Sequence, residues 1–331
     1  MTTFKGFVRS TNATMGRIER ASQRRVREAA KQYKLQLKQQ ELENATKAVR
    51  DYEEYIEVLK SGHKDANEWV NWEQISQEPK PQEPVLLQDK EKEAKRKLEK
   101  YRPSFIDKLF KLSKGKVKRF EAKIKLAVEE DQKNYKVSLD QYKKDLNDWE
   151  ELQLISKGVL AKDVTCYKKA IEYLTPFSDI KELGSKLEMG FESDYVIVDL
   201  YINDDNIVPK YLLSQTSTGK LSKKNMPVSK FNELYQDYVC SCVLRVGRET
   251  LACLPVKYVI VNALGNLLNT VTGKMEDQVV LSVALYPETF AKINFETIDP
   301  SDSMKNFVHN MKFSKTNGFT VVSKLDANNL Q

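Results

Sequence analysis

Few residues in this chain have the types and spacing for chemistry, and each cluster can be tested against what its chemistry demands. "STGKLS", residues 217–222, has the glycine, lysine and hydroxyl order of a phosphate-binding loop. Such a loop needs a glycine five residues before Gly219 and a Ser or Thr directly after Lys220; Ser214 and Leu221 stand there instead. Cys240, Cys242 and Cys253 are three of four cysteines, the other being Cys166. On a helix, residues i and i+2 point about 160° apart, and no histidine is near in sequence, so packed, reduced thiols are expected rather than a metal site. Asp199 followed by Lys210 begins a metal-dependent nuclease constellation of the PD-(D/E)xK type. The second acid belongs two residues before the lysine, where Val208 stands; Asp194, Asp204, Asp205 and Glu233 are the acids that folding would have to bring in. With only His63 and His309, and no G-x-S-x-G elbow, a hydrolase triad has little to draw on. No catalytic residue, cofactor or metal is expected.

Two further clusters read as structural. In "TIDPSDSMKNFVHNMKF", Asp299 can cap a helix beginning at Pro300, with Asp302 in its first turn, Met304, Phe307 and Val308 on its buried side, and His309 near its end. Arg245 and Arg248 share one exposed face of a long helix, where they could contact an anion or a partner and are most simply paired with acids of the same domain.

What remains is charge. The formal net charge is +7, and residues 1–40 hold ten Lys or Arg against Glu19 and Glu28, a balance of +8, so the other 291 residues sum to −1. On a helical wheel, Arg17, Arg20, Arg24, Arg27, Lys31, Lys34 and Lys38 fall within an arc of about 100°, opposite Met15, Ile18, Val26, Ala29, Ala30, Tyr33 and Leu37. The stripe would run roughly 30 Å, with few acidic i,i+4 partners in its first turns. It suits a phosphate backbone, which carries about one charge per 1.7 Å of duplex, although such a face is more usually the solvated back of a coiled-coil helix. A second concentration lies at 90–125, with fifteen basic residues against five acidic ones, including Lys114, Lys116, Lys118 and Arg119.

The elements that carry these charges are mostly helical in the first half. Between Met15 and Leu59, Leu42, Ala45, Val49, Tyr52, Ile56 and Leu59 alternate spacings of three and four, the signature of an association seam. Trp69, Trp72 and Ile75 can dock a short element, after which Pro79, Pro81 and Pro84 forbid a continuous helix. Helix resumes near Lys90, breaks before Pro103 and runs from about Ser113 to Ile155. Val128, Tyr135, Leu139, Tyr142, Leu146 and Trp149 mark its apolar side, with Gln132 at a seam position. Two long helices joined by a proline linker predict an antiparallel, coiled-coil arm about 60 Å long.

After Lys157 the texture changes. One short helix precedes "DYVIVDLYIND", which alternates at period two, and "NIVPKYLLSQ" is a second strand across a turn. Residues 229–254 have the apolar density of a buried helix capped by Ser229. "KYVIVNALGNLLN" and "QVVLSVALY" flank a turn at Gly273. The expected fold is α+β: the arm, then a mostly antiparallel sheet backed by a buried helix. The expected units are 1–75, a proline-rich linker at 76–89, the second arm segment at 90–157 and the α+β domain at 158–331.

"TGKLSKKNMPVSKFNELYQDYVCSCVLRVGRE" (218–249) and "IDPSDSMKNF" (298–307), with the proline-linked helical half, resemble a family of bacterial proteins with a basic coiled-coil N-terminal half and an α+β C-terminal domain. The resemblance implies a bacterial, cytosolic protein and assigns no activity or catalytic residue. The N-terminal residues lack a secretory signal, no apolar run approaches the ~20 residues of a membrane span, and the alanine-rich face of the basic helix is weak for a membrane surface. The expected function is an interaction or scaffold protein, self-associating or binding a protein partner through its arm. The alternative is non-specific DNA or RNA binding along the basic faces, with metal-dependent cleavage at Asp199 and Lys210.

Overall fold

A computed structural model describes residues 32, 35–65, 68–105, 110, 112–177, 186–203 and 205–330. Eight helices occur among them: α1 (35–61), α2 (Trp72–Ser76), α3 (Asp89–Glu99), α4 (Ser113–Leu160), α5 (Val164–Leu174), α6 (Val228–Cys253), α7 (Pro287–Phe290) and α8 (Pro300–Ser303). Eight strands accompany them: β1 (Lys186–Phe191), β2 (Tyr195–Tyr201), β3 (Tyr211–Gln215), β4 (Leu221–Asn225), β5 (Tyr258–Asn269), β6 (Lys274–Leu285), β7 (Val308–Ser314) and β8 (Gly318–Thr320).

The mixed half is an α+β domain whose main sheet has six strands in the order β1-β2-β5-β6-β7-β8. Every pairing is antiparallel except β2 with β5, which are parallel because α6 lies between them in sequence and carries the chain back across the sheet. Period-two alternation sends Val196, Val198 and Leu200, then Val259, Val261 and Ala263, then Leu281, Val283 and Leu285 into one core, matched strand to strand in register. Helix α6 lines that core and is buried from Tyr238 to Cys253 apart from Arg248, being enclosed by sheet on one side and helices and loop on the other. It approaches the sheet at Gly247, where a Cβ would stand 2.1 Å from Leu285 Cδ1. The opposite face of the sheet carries a smaller cluster, Tyr258, Ile260 and Ala284, covered by Leu325, Ala327 and Leu330 of the C-terminal segment.

The helix boundaries expected at 90 and 113 match α3 and α4, while the pairing of the helical half differs from expectation. The seam of α1 lies on the α+β domain. Leu42 packs over Gly219 in the β3–β4 turn, the Tyr52 ring stacks on Tyr211, and Leu59 enters the main core. Tyr52 and Tyr55 donate their hydroxyls to the carbonyls of Tyr211 and Ile207. The physical reason is the β3–β4 hairpin: it forms a two-stranded sheet of its own, apart from the main one, and its apolar face is covered by the alternating apolar side of α1. Trp72 is buried, its indole N–H donating to the Cys253 carbonyl at 2.7 Å, so α2 also belongs to the domain.

Along α4 the companions are α3 and the proline segment. Trp149 Nε1 donates to the Glu78 carbonyl, Gln153 Nε2 to that of Ile75, and Lys90 pairs with Glu130 at 2.8 Å. Residues 78–88 are extended between those anchors, antiparallel to α4, with Pro81 and Pro84 half-buried. The stripe Tyr135, Leu139, Tyr142, Leu146 and Trp149 is half-buried on the same side of α4 as those anchors. Asp131, not Gln132, occupies the inward position, because its carboxylate has a task there: it accepts the Glu91 N–H at 2.9 Å and caps α3, whose own N-cap, Gln88, makes no side-chain bond.

Three local expectations are corrected. Pro227 rather than Ser229 precedes α6, and no side chain caps it. Asp299 does cap α8, but that helix ends at Ser303, so Val308 is exposed and His309 lies on β7 with its Nδ1 3.0 Å from the Phe307 carbonyl. Arg245 is buried beside Glu249, and Arg248 donates to the His63 carbonyl while stacking on Phe295. Among the described residues no helix is long and apolar enough to cross a membrane.

Candidate interaction arm and carboxylate cleft

Helix α4 is continuous from Ser113 to Leu160, and only its C-terminal turns, from Leu152 onward, join the main core. The preceding ~38 residues, about 57 Å at 1.5 Å per residue, form an arm with α3 and the extended segment. Within it the conventional apolar stripe is covered by the chain's own proline segment. Exposed apolar side chains along it are Val85, Leu86 and Leu87 of the extended segment, 77%, 39% and 67% exposed, and Leu126 and Val137 of α4. Phe105, Phe110 and Leu112 are exposed at the tip, and Leu154, Leu160 and Val164 at the root. Three consecutive outward apolar residues in an extended segment have no helical periodicity, which is why the sequence pattern does not single them out.

Of the predicted polyanion contacts, Arg17, Arg20, Arg24, Arg27, Lys31 and Lys34 lie outside the described residues. Lys38 is exposed on α1 and, with Lys220, edges an apolar groove of about 540 Å³ floored by Leu42, Ala45 and Leu221. Lys114, Lys116, Lys118 and Arg119 are exposed on the first two turns of α4, next to the Tyr101–Phe120 ring contact. The two basic regions are thus on different elements: Lys38 on the α+β domain and the 114–119 group at the free end of the arm.

Among the described residues, which leave out Asp204 and the Asp205 side chain, the nuclease constellation is not assembled around Asp199. That carboxylate accepts Asn262 Nδ2 at 2.8 Å and Lys324 Nζ at 2.6 Å; Ser282 donates to Asn262 Oδ1, and the Leu325 N–H donates to Ser282 Oγ. This polar ladder crosses β2, β5 and β6 and ties down the C-terminal segment. Val208 is buried, and Lys210 opens the separate hairpin. Among the described residues no group of three His, Cys, Asp or Glu is placed to hold a metal ion. All four cysteines are free and buried; burial pushes Cys242 and Cys253 up to about 12 and Cys240 well above the usual thiol range, so none supplies a thiolate. In the "STGKLS" turn, Gly219 has φ +81° and accepts the Gln215 amide at its carbonyl, a hairpin function rather than phosphate binding. His63 and Ser241 form a Ser–His contact of 3.1 Å, but both are buried, and Ser241 Oγ also accepts the His63 N–H, so the pair fastens the end of α1 to α6.

One cleft brings titratable groups together that sequence reasoning left apart. It has a volume of about 520 Å³ and is formed by α1, α6, α8 and β7, with Asp237 of α6 among its lining groups. Burial pushes the Asp237 carboxyl up to about 6; the nearby charges of Asp299 and Glu233 add to this, while the Ser301 hydroxyl and Lys60 oppose it. Such a group can exchange a proton near neutrality. Its surroundings are balanced: Lys60, Lys230, Lys305 and Lys315 face Glu233, Asp237, Asp299 and Asp302. Lys305 pairs with Asp302 and Lys315 with Glu233, and Asp299 accepts the amides of Ser301 and Asp302 as a helix cap. The formal charges lining the cleft therefore cancel in number.

Comparison of the chain with family models, curated proteins and solved structures finds no match in any of the three.

Proposed function

We propose that this chain is a non-enzymatic interaction protein in which the α+β domain is a fixed base and the arm is the contact surface. The observation that carries the reading is the outward apolar group Val85, Leu86 and Leu87 on an arm whose regular stripe is already covered from within. Contiguous exposed apolar side chains rimmed by charge are what association surfaces present. The paired helical packing expected of a coiled coil is, on this reading, made between the arm and its partner. Four buried cysteines without a disulfide fit a reducing, cytosolic setting.

Multi-angle light scattering of the nuclease-treated protein tests this, comparing wild type with Leu86→Asp/Leu87→Asp. Wild type should run as an assembly, with itself or a co-purifying protein, that persists at ~0.5 M salt, where screening removes most surface ion pairing. The variant should lose the assembly with unchanged thermal melting. An assembly indifferent to the substitutions would sink the reading. A second reading, nucleic-acid binding, is favoured by Lys114, Lys116, Lys118 and Arg119 clustering on two exposed turns; it predicts bound nucleic acid that is released as salt rises.

A further inference from the structure

A second cavity of the base is separate from both the arm and the carboxylate cleft. It holds about 250 Å³ and is lined by Trp69, Arg248, Pro287, Phe290, Ala291 and Phe295, so five apolar residues surround one cation. Trp69, in the segment between α1 and α2, lines it while 60% exposed, which puts the indole on the open side. The inner wall is fixed by packing. Phe290 meets Phe295 and Phe307 edge to face, with ring centroids 5.4 and 5.5 Å apart, and the Arg248 guanidinium carbon lies 4.0 Å from the centre of the Phe295 ring. Arg248 is held there without being neutralised. Its Nη1 donates to the carbonyls of His63 and Lys64, which uses two of the five guanidinium N–H groups. Among the described residues no carboxylate forms an ion pair with it: Glu249 pairs with Arg245, and Glu296, near enough to attract Arg248, is exposed to solvent. Its other nitrogens, Nε and Nη2, make no hydrogen bond among the described residues and are not sealed in the interior.

We propose that this cavity binds a small aromatic carboxylate, its acid group paired with Arg248 and its ring laid between Trp69 and the Phe290–Phe295 wall. The site belongs to the α+β domain, and the assignment stands whatever the partner of the arm is. Charge, shape and volume together select the ligand. A guanidinium offers a planar fork of donors, which a carboxylate matches with two parallel hydrogen bonds. The fork is set before any ligand arrives, because the Phe295 ring face and two backbone carbonyls already fix it. Arg248 is the one cation among the lining residues, so a single negative charge is matched and a second would be left without a partner. The aromatic walls favour a flat apolar body, which they meet by offset and edge-to-face contact. At about 250 Å³ the cavity is smaller than the ~300–1,000 Å³ of sites for drug-sized molecules, so one ring or a fused pair with its acid group fills it.

Titration calorimetry of the full-length protein tests this with phenylacetate and indole-3-acetate against two controls. Phenylacetamide keeps the ring and lacks the charge; acetate keeps the charge and lacks the ring. At least one aromatic acid should bind with a Kd of about 1 mM or tighter, and both controls at least about tenfold more weakly. Two variants at exposed positions locate the site. Trp69→Ala should weaken the aromatic acid about fivefold, and Ala291→Trp should fill the cavity and abolish binding, each with thermal melting close to that of wild type. Arg248 itself is left in place because it also fastens the segment after α1; the comparison of acid with amide reads its role instead. Failure of both aromatic acids to bind, an amide that binds as well as its acid, or binding indifferent to both substitutions overturns the proposal. So does a peptide ending in phenylalanine that binds where the free acids do not, since the cavity would then receive a chain end rather than a small acid.

Discussion

Asp237 shows how one carboxyl is set by neighbours that no local pattern reveals. Its folded value of about 6 lies above the ~3.9 of an unfolded Asp, so between those values the native state holds the proton more firmly. Stability from this group is therefore highest at low pH, falls as pH rises from about 4 to 6, and stays reduced above. Asp237→Asn should be more stable than wild type at pH 7 by about 1 kcal/mol, the half-exposed position screening a larger nominal effect, and the advantage should vanish near pH 4. Thermal melting across that range checks it; a constant difference would show that the charge is not responsible. Neither the raised carboxyl nor its cleft was legible in the chain, because the lining groups come from three stretches far apart in sequence: Lys60, residues 230–237 and residues 299–315. The Asp299 cap, by contrast, was legible, since Asp–Pro with an acid in the first turn is a local motif.

At the scale of elements, Asp131 holds α3 in place of a cap the helix lacks. Asp131→Ala should cost about 1 kcal/mol, as the loss of an N-cap does. Amide exchange should rise across residues 89–99 with the α+β domain unaffected; equal protection there would mean that packing against α4 alone fixes α3. Helices α3 and α4 were readable from periodicity and prolines, and so was α6 from its length and apolar density. The destination of the α1 seam was not. A three-and-four spacing records that one side of a helix is covered, not by what, and the covering hairpin includes β4, whose "LSKKN" is too polar to read as a strand. The strands β7 and β8 were hidden in the same way, behind a helix start that stops after one turn.

For the whole molecule, the base and the arm differ in what holds them. The α+β domain has two apolar layers across its sheet, whereas the arm is a helix with one short helix and one extended strand of chain against it. Amides of residues 113–150 should therefore exchange through local openings well below the global unfolding free energy, and those of β5, β6 and α6 only through global unfolding. Hydrogen exchange over a denaturant series checks this: merging of the two sets at low denaturant would mean that arm and base unfold as one.

The unbroken course of α4 has a mechanical consequence. The same hydrogen-bonded rod that ends in the core at Ile155 and Val159 begins at the arm's far end, with no proline within it. A tilt of about 5° at the root moves the far end by roughly 5 Å, since the lever is ~57 Å long. Small adjustments among the side chains around Ile155 would thus steer the tip over several ångströms, and a force applied at the tip would arrive in the core as torque.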